Sequence, residues 1–504
     1  MAAVETAESA SGVAATDPIP DHVDVFIVGA GISGLGAAYH LKDQRPGTSF
    51  VILDALDSFG GTWLTHRYPG VRSDSDLFTL GYRFKAWGGN PIATAPEILR
   101  YLGEVIEEND LSRHIHYGHR VEAMRWSSEE RRWTVEALDV ATGEAVTFTA
   151  GFVWMCQGYY RHGEGYKPQW PGMADFDGPI LHPQEWPAEP DLAGKKVVVI
   201  GSGATAATLI PAIADEVESV TMLQRTPTFM MPMRNRNELA DQLRDLDVPP
   251  EWIHEIVRRQ ILKLQEMMSS AVADPDVMRA FLLQAMRDEL PEDFDVERHF
   301  NPPYRPWQQR LAILPDGDLF KAIREGKAHV VTDTIERFTN KGIETSSGEL
   351  LEADVIITAT GFDLSVLGDI AFDVDGAPVD AASCVTYRGI MFTGLPNLAY
   401  VFGYFRASWT LRADIISDFV CRLLGHMEDI GASVVVPTLR PEDEADERGP
   451  WVDPDNFNPG YLTRSMHLMP KQGAKEPWRW GQAYVEERAM LEAADLDDGT
   501  LRFT

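Results

Sequence analysis

The stretch DVFIVGAGISGLGAAYHL, residues 24–41, decides the fold of this chain. Asp24 to Val28 form an apolar strand pattern that runs directly into GxGxxG, and a helical pattern follows as far as Leu41. In such a unit the first glycine permits a tight turn and the second lets the backbone approach a pyrophosphate, while the third lets the helix pack against the strand. The helix N-terminus adds partial positive charge. The stretch therefore predicts a dinucleotide-binding unit.

The residues around this first glycine loop (residues 29–34) strengthen the prediction. A second strand pattern, residues 50–53, closes a βαβ unit, and Asp54 stands twenty residues beyond Gly34. A carboxylate there accepts hydrogen bonds from ribose hydroxyls. Glycine clusters also occur in ordinary turns, but strand, helix and acid all stand where the motif needs them. The predicted cofactor contacts of this unit are Gly29, Gly31, Ile32, Ser33, Gly34 and Asp54.

A second unit of the same kind begins at KVVVIGSGATA, residues 196–206, which contains the second glycine loop (residues 201–206). A strand pattern at residues 219–223 follows, and Arg225 stands where the first unit has an acid. A guanidinium suits the ribose 2′-phosphate of NADP, whereas a carboxylate would repel it. The alternative is a solvated arginine after a strand. The predicted NADPH contacts are Gly201, Ser202, Gly203, Ala204, Thr205, Gln224, Arg225 and Thr226.

Length and composition narrow the class of protein. A chain of 504 residues is too long for one hydrophobic core, so two or three domains are expected. With 77 acidic and 45 basic residues the net charge is −32, which disfavours nucleic acid and anionic membranes as partners. The three cysteines are widely spaced and form neither a metal-ligand pattern nor a redox pair. This cysteine usage fits a reducing cytosol, and no apolar run approaches the roughly 18 residues of a membrane helix, so we expect a cytoplasmic protein.

The helical and strand patterns divide the chain into discontinuous domains. Strand patterns return at residues 328–331 and 355–358, and Ala359-Thr360-Gly361 would let the chain leave one sheet and enter another. The predicted parts are a disordered tail (1–20), an FAD-binding domain (21–165 and 355–504), an NADP-binding domain (166–233 and 305–354) and a helical insertion (234–304).

The predicted insertion carries one apolar stripe at helical spacing. Its members are Ile253, Ile256, Val257, Ile261, Leu264 and Met268. Such stripes are usually buried in a core, and we interpret this one in that way. The alternative is that Met267, Met268, Met278 or Met286 lines an adaptable substrate site.

A third motif stands between the two glycine loops. Phe176, Gly178, His182, Trp186 and Pro187 spell FxGxxxHxxxWP. Five fixed positions would occur by chance in a chain of this length on the order of once in several thousand. The pattern resembles the fingerprint of Baeyer–Villiger monooxygenases, whereas related flavin-containing monooxygenases usually carry Tyr or Phe in place of Trp-Pro.

A second signature of the same family is also present. Gly60-Gly61-Thr62-Trp63, Tyr68-Pro69-Gly70 and Asp74 match GGxWxxxxYPGxxxD, the signature of the type I enzymes. The resemblance extends from Val23 over nearly the whole chain. Segments similar to one subgroup, the ethionamide-activating monooxygenases and their relatives, are RYPGVRSDSDLFTLGYRF, VVVIGSGATA, PWQQRL, VVTDTIERF and ITATGF.

The resemblance implies a reaction and its cofactors. In the family, NADPH reduces FAD and then stays bound as NADP, oxygen adds to the flavin C4a carbon, and the resulting peroxide attacks a ketone carbonyl. This chemistry uses no metal and no cysteine nucleophile, which agrees with the cysteine count. It needs a fixed cation beside the negative charge that develops in a water-poor site.

The resemblance also implies which residues act. By its position in PWQQRL, Arg310 matches the catalytic arginine, and Asp74 matches the acid that holds it. Arginine stays charged when desolvated and offers several donors. The structural alternatives are a surface salt bridge for Arg310 and an Asx-turn for Asp74. Further implied cofactor contacts are Gly61, Thr62, Trp63, Asp74, Val121 and Gly361.

Three other positions carry weaker implications. His182 invites a general-base role, but the family fingerprint is thought to orient the interdomain linker, so we interpret it as structural. Trp186 is interpreted as a packing anchor. Gln309 departs from the family, because many members carry there a lysine that contacts the 2′-phosphate. The preference for NADPH therefore depends mainly on Arg225 and Thr226.

Together these features predict an α/β protein with two Rossmann-like domains, one for FAD and one for NADP, and a helical insertion in the NADP domain. The predicted activity is oxygen insertion next to a ketone carbonyl, with sulfoxidation as a side activity. The alternatives are a monooxygenase acting mainly on S or N, an NADPH-dependent flavin reductase, and a non-catalytic redox sensor. A disulfide reductase is disfavoured because a cysteine pair is missing. The expected partners are a small ketone or sulfide and O2, and the chain is expected to be a monomer or homodimer.

Overall fold

The computed structural model describes residues 17–271 and 274–504. In this structure a nine-stranded sheet organises the first unit. His22–Val28 pairs in parallel with Phe50–Leu53 on one side and Ala145–Met155 on the other. From one edge, the strands are Ala377–Pro378, Ala371–Val374, His119–Ser127, Arg132–Asp139, Ala145–Met155, His22–Val28, Phe50–Leu53 and Ile115–His116, with Leu398–Tyr400 beside the end of Ala145–Met155.

Alternating side chains of the central strand build two cores. Val25 and Ile27 face the helices Ile32–Gln44 and Trp409–Ile430, whereas Phe26 and Val28 face the opposite side of the sheet. This period of two buries both faces of the strand, as a central parallel strand requires. The first glycine loop therefore follows a rigid, fully covered strand.

A five-stranded parallel sheet organises the second unit. Its strands, in spatial order, are Ala328–Thr332, Ser219–Gln224, Lys196–Ile200, Val355–Thr358 and Ile180–Leu181. The predicted boundary at residue 355 is wrong by one strand, because Val355–Thr358 pairs with Lys196–Ile200 and all four of its residues are buried there. An apolar run fits a buried parallel strand in either sheet, so the sequence could not assign Val355–Thr358 to one of them. The chain returns to the first unit after this strand.

Two short strands carry the chain between the units. Tyr160–Gly165 leads out of the first unit and Phe362–Leu364 leads back, and the two pair antiparallel. A Cβ atom on Gly165 would lie 1.9 Å from the His182 ring, so the fingerprint histidine packs directly on the outgoing strand. This contact supports the interpretation of His182 as a residue that orients the crossing.

The helical insertion is divided between the two units. Ile253 and Val257 on the helix Pro250–Ala271 are buried in the first unit, whereas Ile256 and Leu264 are exposed. The helix Pro275–Glu289 packs on the second unit, where Met278 and Met286 are buried in the core. The prediction had placed the whole insertion in the NADP domain. The side chains of Met267 and Met268, and the predicted tail up to residue 16, lie outside what the structure describes.

Within residues 17–271 and 274–504, none of the helices has the length and hydropathy of a membrane span.

The remaining helices and strands lie outside the two central sheets. The other helices are Thr62–Thr65, Leu77–Leu80, Ala95–Glu108, Ala204–Ile213, Glu238–Asp245, Val296–Phe300, Asp318–Arg324, Pro441–Glu444, Gly460–Ser465 and Tyr484–Glu492. The other strands are Met230–Met233, Ala312–Pro315, Ile335–Thr339, Gly342–Thr345, Leu350–Glu352, Thr386–Tyr387, Met391–Phe392, Val435–Pro437, Gly449–Pro450, Lys471–Gln472 and Leu501–Phe503.

Candidate functional site

A cavity of about 1040 Å³ joins the two glycine loops. It lies at the carboxyl ends of the parallel strands, which is where open α/β sheets bind their ligands. Most of the residues predicted from the sequence contribute to its wall. Those residues are Gly29, Gly31, Ile32, Ser33, Asp54, Gly61, Thr62, Trp63, Asp74, Val121, Gly203, Ala204, Thr205, Arg310 and Gly361.

The first glycine loop has the shape that a pyrophosphate needs. Gly29 has a φ of +97°, and a Cβ atom on Gly34 would lie 1.8 Å from the Gly29 carbonyl oxygen, so the helix packs tightly on the loop. A Cβ atom on Gly31 would instead lie 3.7 Å from Gly61 Cα, and both glycines line the cavity. Side chains at Gly31 and Gly61 would take up space beside the loop that a pyrophosphate would fill. The loop therefore fits a dinucleotide.

Asp54 connects the end of the second strand to the glycine loop. Its Oδ2 accepts the Ala30 N–H at 2.6 Å and its Oδ1 accepts the Leu56 N–H at 2.9 Å. Burial raises the pKa of Asp54, and the two N–H donors act in the opposite direction. The carboxylate oxygens retain lone pairs on the cavity side, which suits a ribose hydroxyl.

The second glycine loop is built in a similar way. Gly201 has a φ of +125°, and a Cβ atom there would lie 2.4 Å from the Ala359 carbonyl oxygen. The same test on Gly203 meets no atom within 4 Å, so this glycine opens onto the cavity. The Ser202 hydroxyl lies 3.0 Å from Thr228 Oγ1, and this hydrogen bond stabilises the loop.

Some predicted residues do not line the cavity. The buried Gln224 amide donates to the His299 carbonyl at 2.7 Å and to Thr332 Oγ1 at 3.0 Å, so it stabilises the fold locally. Arg225 is exposed and contacts no charged or hydrogen-bonding partner in the described part of the chain. The predicted residues outside the cavity wall are Gly34, Gly201, Ser202, Gln224, Arg225 and Thr226.

Arg310 and Asp74 meet at the cavity wall. Arg310 Nη1 lies 3.4 Å from Asp74 Oδ2, and Arg310 Nε lies 3.5 Å from the Tyr461 hydroxyl. Burial would lower the pKa of Arg310, but Tyr461, Tyr159 and Asp74 around it raise that pKa well above its usual value. The guanidinium is therefore a permanent positive charge between the two glycine loops.

The segment before Asp74 joins the two units. Gly70 has a φ of +76°, and a Cβ atom there would lie 2.6 Å from Ala212 Cβ on the helix of the second unit. Tyr68 is buried in the core of the second unit, and its hydroxyl interacts with Thr205 of the second glycine loop. The Tyr-Pro-Gly part of the signature therefore places Asp74 by docking the loop across the domain boundary.

The C-terminal region holds the segment that contains Arg310. Arg406 Nε donates to the Trp307 carbonyl at 3.1 Å, and the Asn458 N–H donates to the Gln308 carbonyl at 2.8 Å. Trp307 has a φ of +65°, which a tryptophan adopts only when its surroundings impose it. Gln309 faces the cavity and donates weakly to Asn458 at 3.4 Å. These contacts fix the loop that carries the guanidinium.

Sequence reasoning missed several aromatic residues of the wall. Tyr159 stacks on Trp409 with ring centroids 5.3 Å apart, and Trp409 Nε1 donates to Ser33 Oγ at 2.7 Å. Tyr159 and Tyr160 follow a central strand at its carboxyl end, a position that could have marked them. Trp409 and Tyr461 come from the C-terminal region and carried no local signal.

These features are those of a protein that binds two nucleotides at one cavity. Two glycine loops that fit nucleotides border one cavity, and the Arg310 guanidinium lies in its wall. The three cysteines are buried and free, and burial raises the pKa of Cys156 at the cavity, so a thiolate is disfavoured there. The described residues contain no cluster that could hold a metal ion.

Comparisons with known families and proteins agree with this class. The NAD(P)-binding Rossmann-like domain matches residues 27–94, and the flavin-binding monooxygenase-like family matches residues 91–367. The chain is 46% identical over 486 residues to the FAD-containing monooxygenase EthA of Mycobacterium tuberculosis, covering 96% of this chain and 98% of the relative. It is 41% identical over 487 residues to the probable FAD-binding monooxygenase AlmA of Acinetobacter baylyi, covering 96% of each.

The chain therefore belongs to the flavin-binding monooxygenase-like family, and the resemblance deduced from its motifs is confirmed. It is an NADPH-dependent flavin monooxygenase with FAD and NADP(H) as cofactors. Solved structures share the predicted two-domain fold. A steroid monooxygenase bound to NADP has a TM-score of 0.74 at 23% identity, covering 96% of this chain and 99% of that chain. Cyclohexanone monooxygenase from Rhodococcus sp. Phi1 gives 0.72 at 24%, covering 96% and 100%.

Proposed function

We propose that this monooxygenase is a Baeyer–Villiger enzyme, which inserts one oxygen atom of O2 next to a ketone carbonyl to give an ester or lactone. The observation that carries the proposal is the Arg310–Asp74 pair, 3.4 Å apart, in the cavity wall between the two glycine loops. Its members come from two separate motifs. A positive charge at this place suits chemistry that builds negative charge on a carbonyl oxygen.

The cofactors occupy the two halves of the cavity in this proposal. FAD would bind along the first glycine loop, with Asp54 on its ribose and Gly61, Thr62, Trp63, Val121 and Gly361 around it. NADPH would bind along Gly203, Ala204 and Thr205, with Arg225 turning toward its 2′-phosphate. When bound, the two cofactors supply hydride transfer and oxygen activation, and the protein supplies orientation and charge.

Arg310 has two tasks in this arrangement. Its guanidinium would hold the ketone oxygen and stabilise the negative charge that grows there as the carbonyl carbon is attacked. Asp74 and Tyr461 restrict its orientation through contacts at Nη1 and Nε. A fixed dipole or charge is worth more than a mobile one, because it needs no reorganisation during the reaction.

The neutral aromatic wall supports small uncharged substrates. Tyr159, Tyr461 and Trp409 surround the Arg310 side of the cavity and would exclude water from it. A sulfide fits such a wall as well as a ketone, so we expect sulfoxidation as a side activity. The rival is an enzyme that oxidises mainly S or N.

A matched substrate pair tests the proposal. 2-Octanone and methyl hexyl sulfide differ only in the replacement of the carbonyl by sulfur. We expect NADPH- and O2-dependent formation of an ester, measured by product mass, alongside some sulfoxide. Sulfoxide without ester would favour the rival, and NADPH oxidation without either product would indicate a flavin reductase. The molar mass of the protein, measured by light scattering after gel filtration, would test the predicted monomer or homodimer.

A further inference from the structure

His66 is one of the residues that line the cavity, and one of its ring nitrogens has no hydrogen-bond partner in the described structure. It follows the short helix Thr62–Thr65, and 5% of its surface is exposed. Its Nδ1 lies 3.0 Å from the Thr62 carbonyl oxygen, which can only accept. Nδ1 therefore carries the hydrogen, so a neutral ring presents its lone pair at Nε2. Nε2 is buried and has no hydrogen-bond partner among the described residues.

The ring stays neutral because of where it is. Burial lowers the pKa of His66, with the Thr62 carbonyl acting in the opposite direction, and burial also lowers the pKa of the neighbouring His162 to about 4. The Thr65 hydroxyl lies 3.3 Å and 3.5 Å from Nδ1 of these two histidines. His66 is therefore an acceptor at neutral pH, and a buried acceptor normally has a donor.

The ring lies where the two units meet. The His66 ring packs edge-on against Tyr160 and Phe362, with ring centroids 6.0 Å and 5.6 Å apart. These two residues begin the strands that lead out of the first unit and back into it. The ring also contacts Tyr68, whose hydroxyl interacts with Thr205 of the second glycine loop. These contacts place His66 beside the segments that connect the two units and close to the second glycine loop.

We infer that His66 Nε2 accepts a hydrogen bond from the nicotinamide half of NADP, through a ribose hydroxyl or the carboxamide N–H. This inference rests on the proposed placement of NADP along the second glycine loop. The proposed placement puts the 2′-phosphate of the adenine half at Arg225, so the donor to His66 comes from the nicotinamide half. The nicotinamide must approach the flavin for hydride transfer, so its riboside must cross between the units beside His66.

The test compares two variants and two ligands in the FAD-loaded protein, without substrate or turnover. His66→Asn keeps a donor for the Thr62 carbonyl and removes the Nε2 acceptor, whereas His66→Gln places an acceptor oxygen near the Nε2 position. The ligands are NADP+ and adenosine 2′,5′-bisphosphate, which lacks the nicotinamide half. Kd is measured by calorimetry, with FAD content and Tm confirming that each variant is folded.

We expect His66→Asn to raise the Kd of NADP+ about five- to thirty-fold, and His66→Gln to recover most of that loss, as for one buried hydrogen bond. The Kd of adenosine 2′,5′-bisphosphate should stay unchanged. An unchanged NADP+ Kd in His66→Asn would overturn the inference and leave Nε2 to water. Equal weakening of both ligands, or loss of FAD alone, would overturn it too.

The outcome is separable from the proposed reaction. A protein that forms no ester can still show the difference between the two ligands, because no turnover is involved. Gly203→Val checks the placement itself, since its side chain would enter the open space at the second glycine loop. Normal NADP+ binding by Gly203→Val would refute the placement, and with it the role of His66.

Discussion

The Arg310 guanidinium and the Asp74 carboxylate lie 3.4 Å apart although 236 positions separate them in the chain. About a third of each side chain is accessible, 38% and 32%, because both border the cavity. Asp74 reaches this place from the first unit and Arg310 from the second. The pair therefore forms only when the two units are docked.

Replacing Arg310 by Ala should separate NADPH oxidation from oxygen transfer. Hydride transfer depends mainly on the positions of the two cofactors, so flavin reduction should persist. Product formation needs the fixed charge, and losing such a contact typically costs about 10²–10³ in rate. We expect the variant to consume NADPH, release hydrogen peroxide and form almost no ester, measured by stopped-flow absorbance and product analysis.

Three further variants frame this result. Arg310→Lys should recover little, because a point charge on a flexible stem cannot reproduce the planar fork. Asp74→Ala should give a milder loss, since the charge remains and only its orientation is freed. Arg337→Ala, which removes an exposed arginine paired with Glu344, should behave as wild type. Normal ester yield from Arg310→Ala would exclude this residue from the mechanism.

Removing the Tyr461 hydroxyl tests whether it orients Arg310. In Tyr461→Phe the ring stays and only the contact with Arg310 Nε is lost. We expect the ester formed per NADPH to fall about three- to ten-fold, as for one modest hydrogen bond, with the KM for NADPH unchanged. Tyr39→Phe, which changes a tyrosine stacked on Phe84 away from the cavity, is the matched control. Unchanged coupling in Tyr461→Phe would refute the positioning role.

Arg225→Ala should distinguish the two coenzymes. Its side chain is exposed and unpaired in the described structure, so its removal should leave the fold intact. The KM for NADPH should rise about ten- to a hundred-fold, as expected for one charge-assisted contact, while that for NADH barely changes. Steady-state kinetics with both coenzymes measure this, and Arg234→Ala, another exposed arginine, is the control. Equal losses with both coenzymes would show that Arg225 does not contact the 2′-phosphate.

Gly31→Val should abolish FAD retention. Gly31 has a φ of −79° and a ψ of −174°, which any residue adopts, so backbone strain does not explain the effect. The added side chain would instead enter the cavity where the pyrophosphate approaches the loop. The wild-type protein should be yellow with about one FAD per chain, and the variant nearly colourless after gel filtration. Gly47→Val, where a Cβ atom meets nothing within 4 Å, should remain yellow. A yellow Gly31→Val protein would contradict the placement of FAD.

His254 should make stability depend on pH. Burial, with Arg258 nearby, lowers the pKa of His254 to about 4, and its Nδ1 accepts the Trp87 N–H at 3.2 Å. The unfolded chain, with a pKa near 6.5, binds more protons between these values. Stability from this residue is therefore complete above about pH 6.5 and is lost as the pH falls toward about 4.

Urea denaturation at pH 7.5 and pH 5 measures the effect. His254→Asn keeps an acceptor for the Trp87 N–H and removes the titration. Its free energy of unfolding should fall by about 2 kcal/mol less than that of the wild type between the two pH values. The exposed His329→Asn is the control. Identical pH dependence in His254→Asn and the wild type would contradict the prediction.

The glycine loops and Asp54 could be predicted because neighbouring residues carry their whole signal. The Arg310–Asp74 pair came from a resemblance, since nothing local connects two residues so far apart. Trp409 was missed because its bond to Ser33 spans 376 positions. His66 lies inside a recognised motif, but its free nitrogen follows from burial and from the Thr62 carbonyl. The sheet that contains Val355–Thr358 was misassigned because pairing is a tertiary choice.

The antiparallel pairing of Tyr160–Gly165 with Phe362–Leu364 makes the NADP unit an insert with adjacent ends. Inserted domains with adjacent ends are tolerated because the host fold closes with or without them. The segment between about residues 166 and 361 therefore leaves and re-enters the flavin unit at one place, although its helix Pro250–Ala271 packs in the core of that unit. Exchanging this segment between homologues would transfer the coenzyme-binding residues together with that helix, while the rest of the flavin unit stayed with the host. Recombination at these two connections would let proteins of this architecture diversify by exchange of the whole segment.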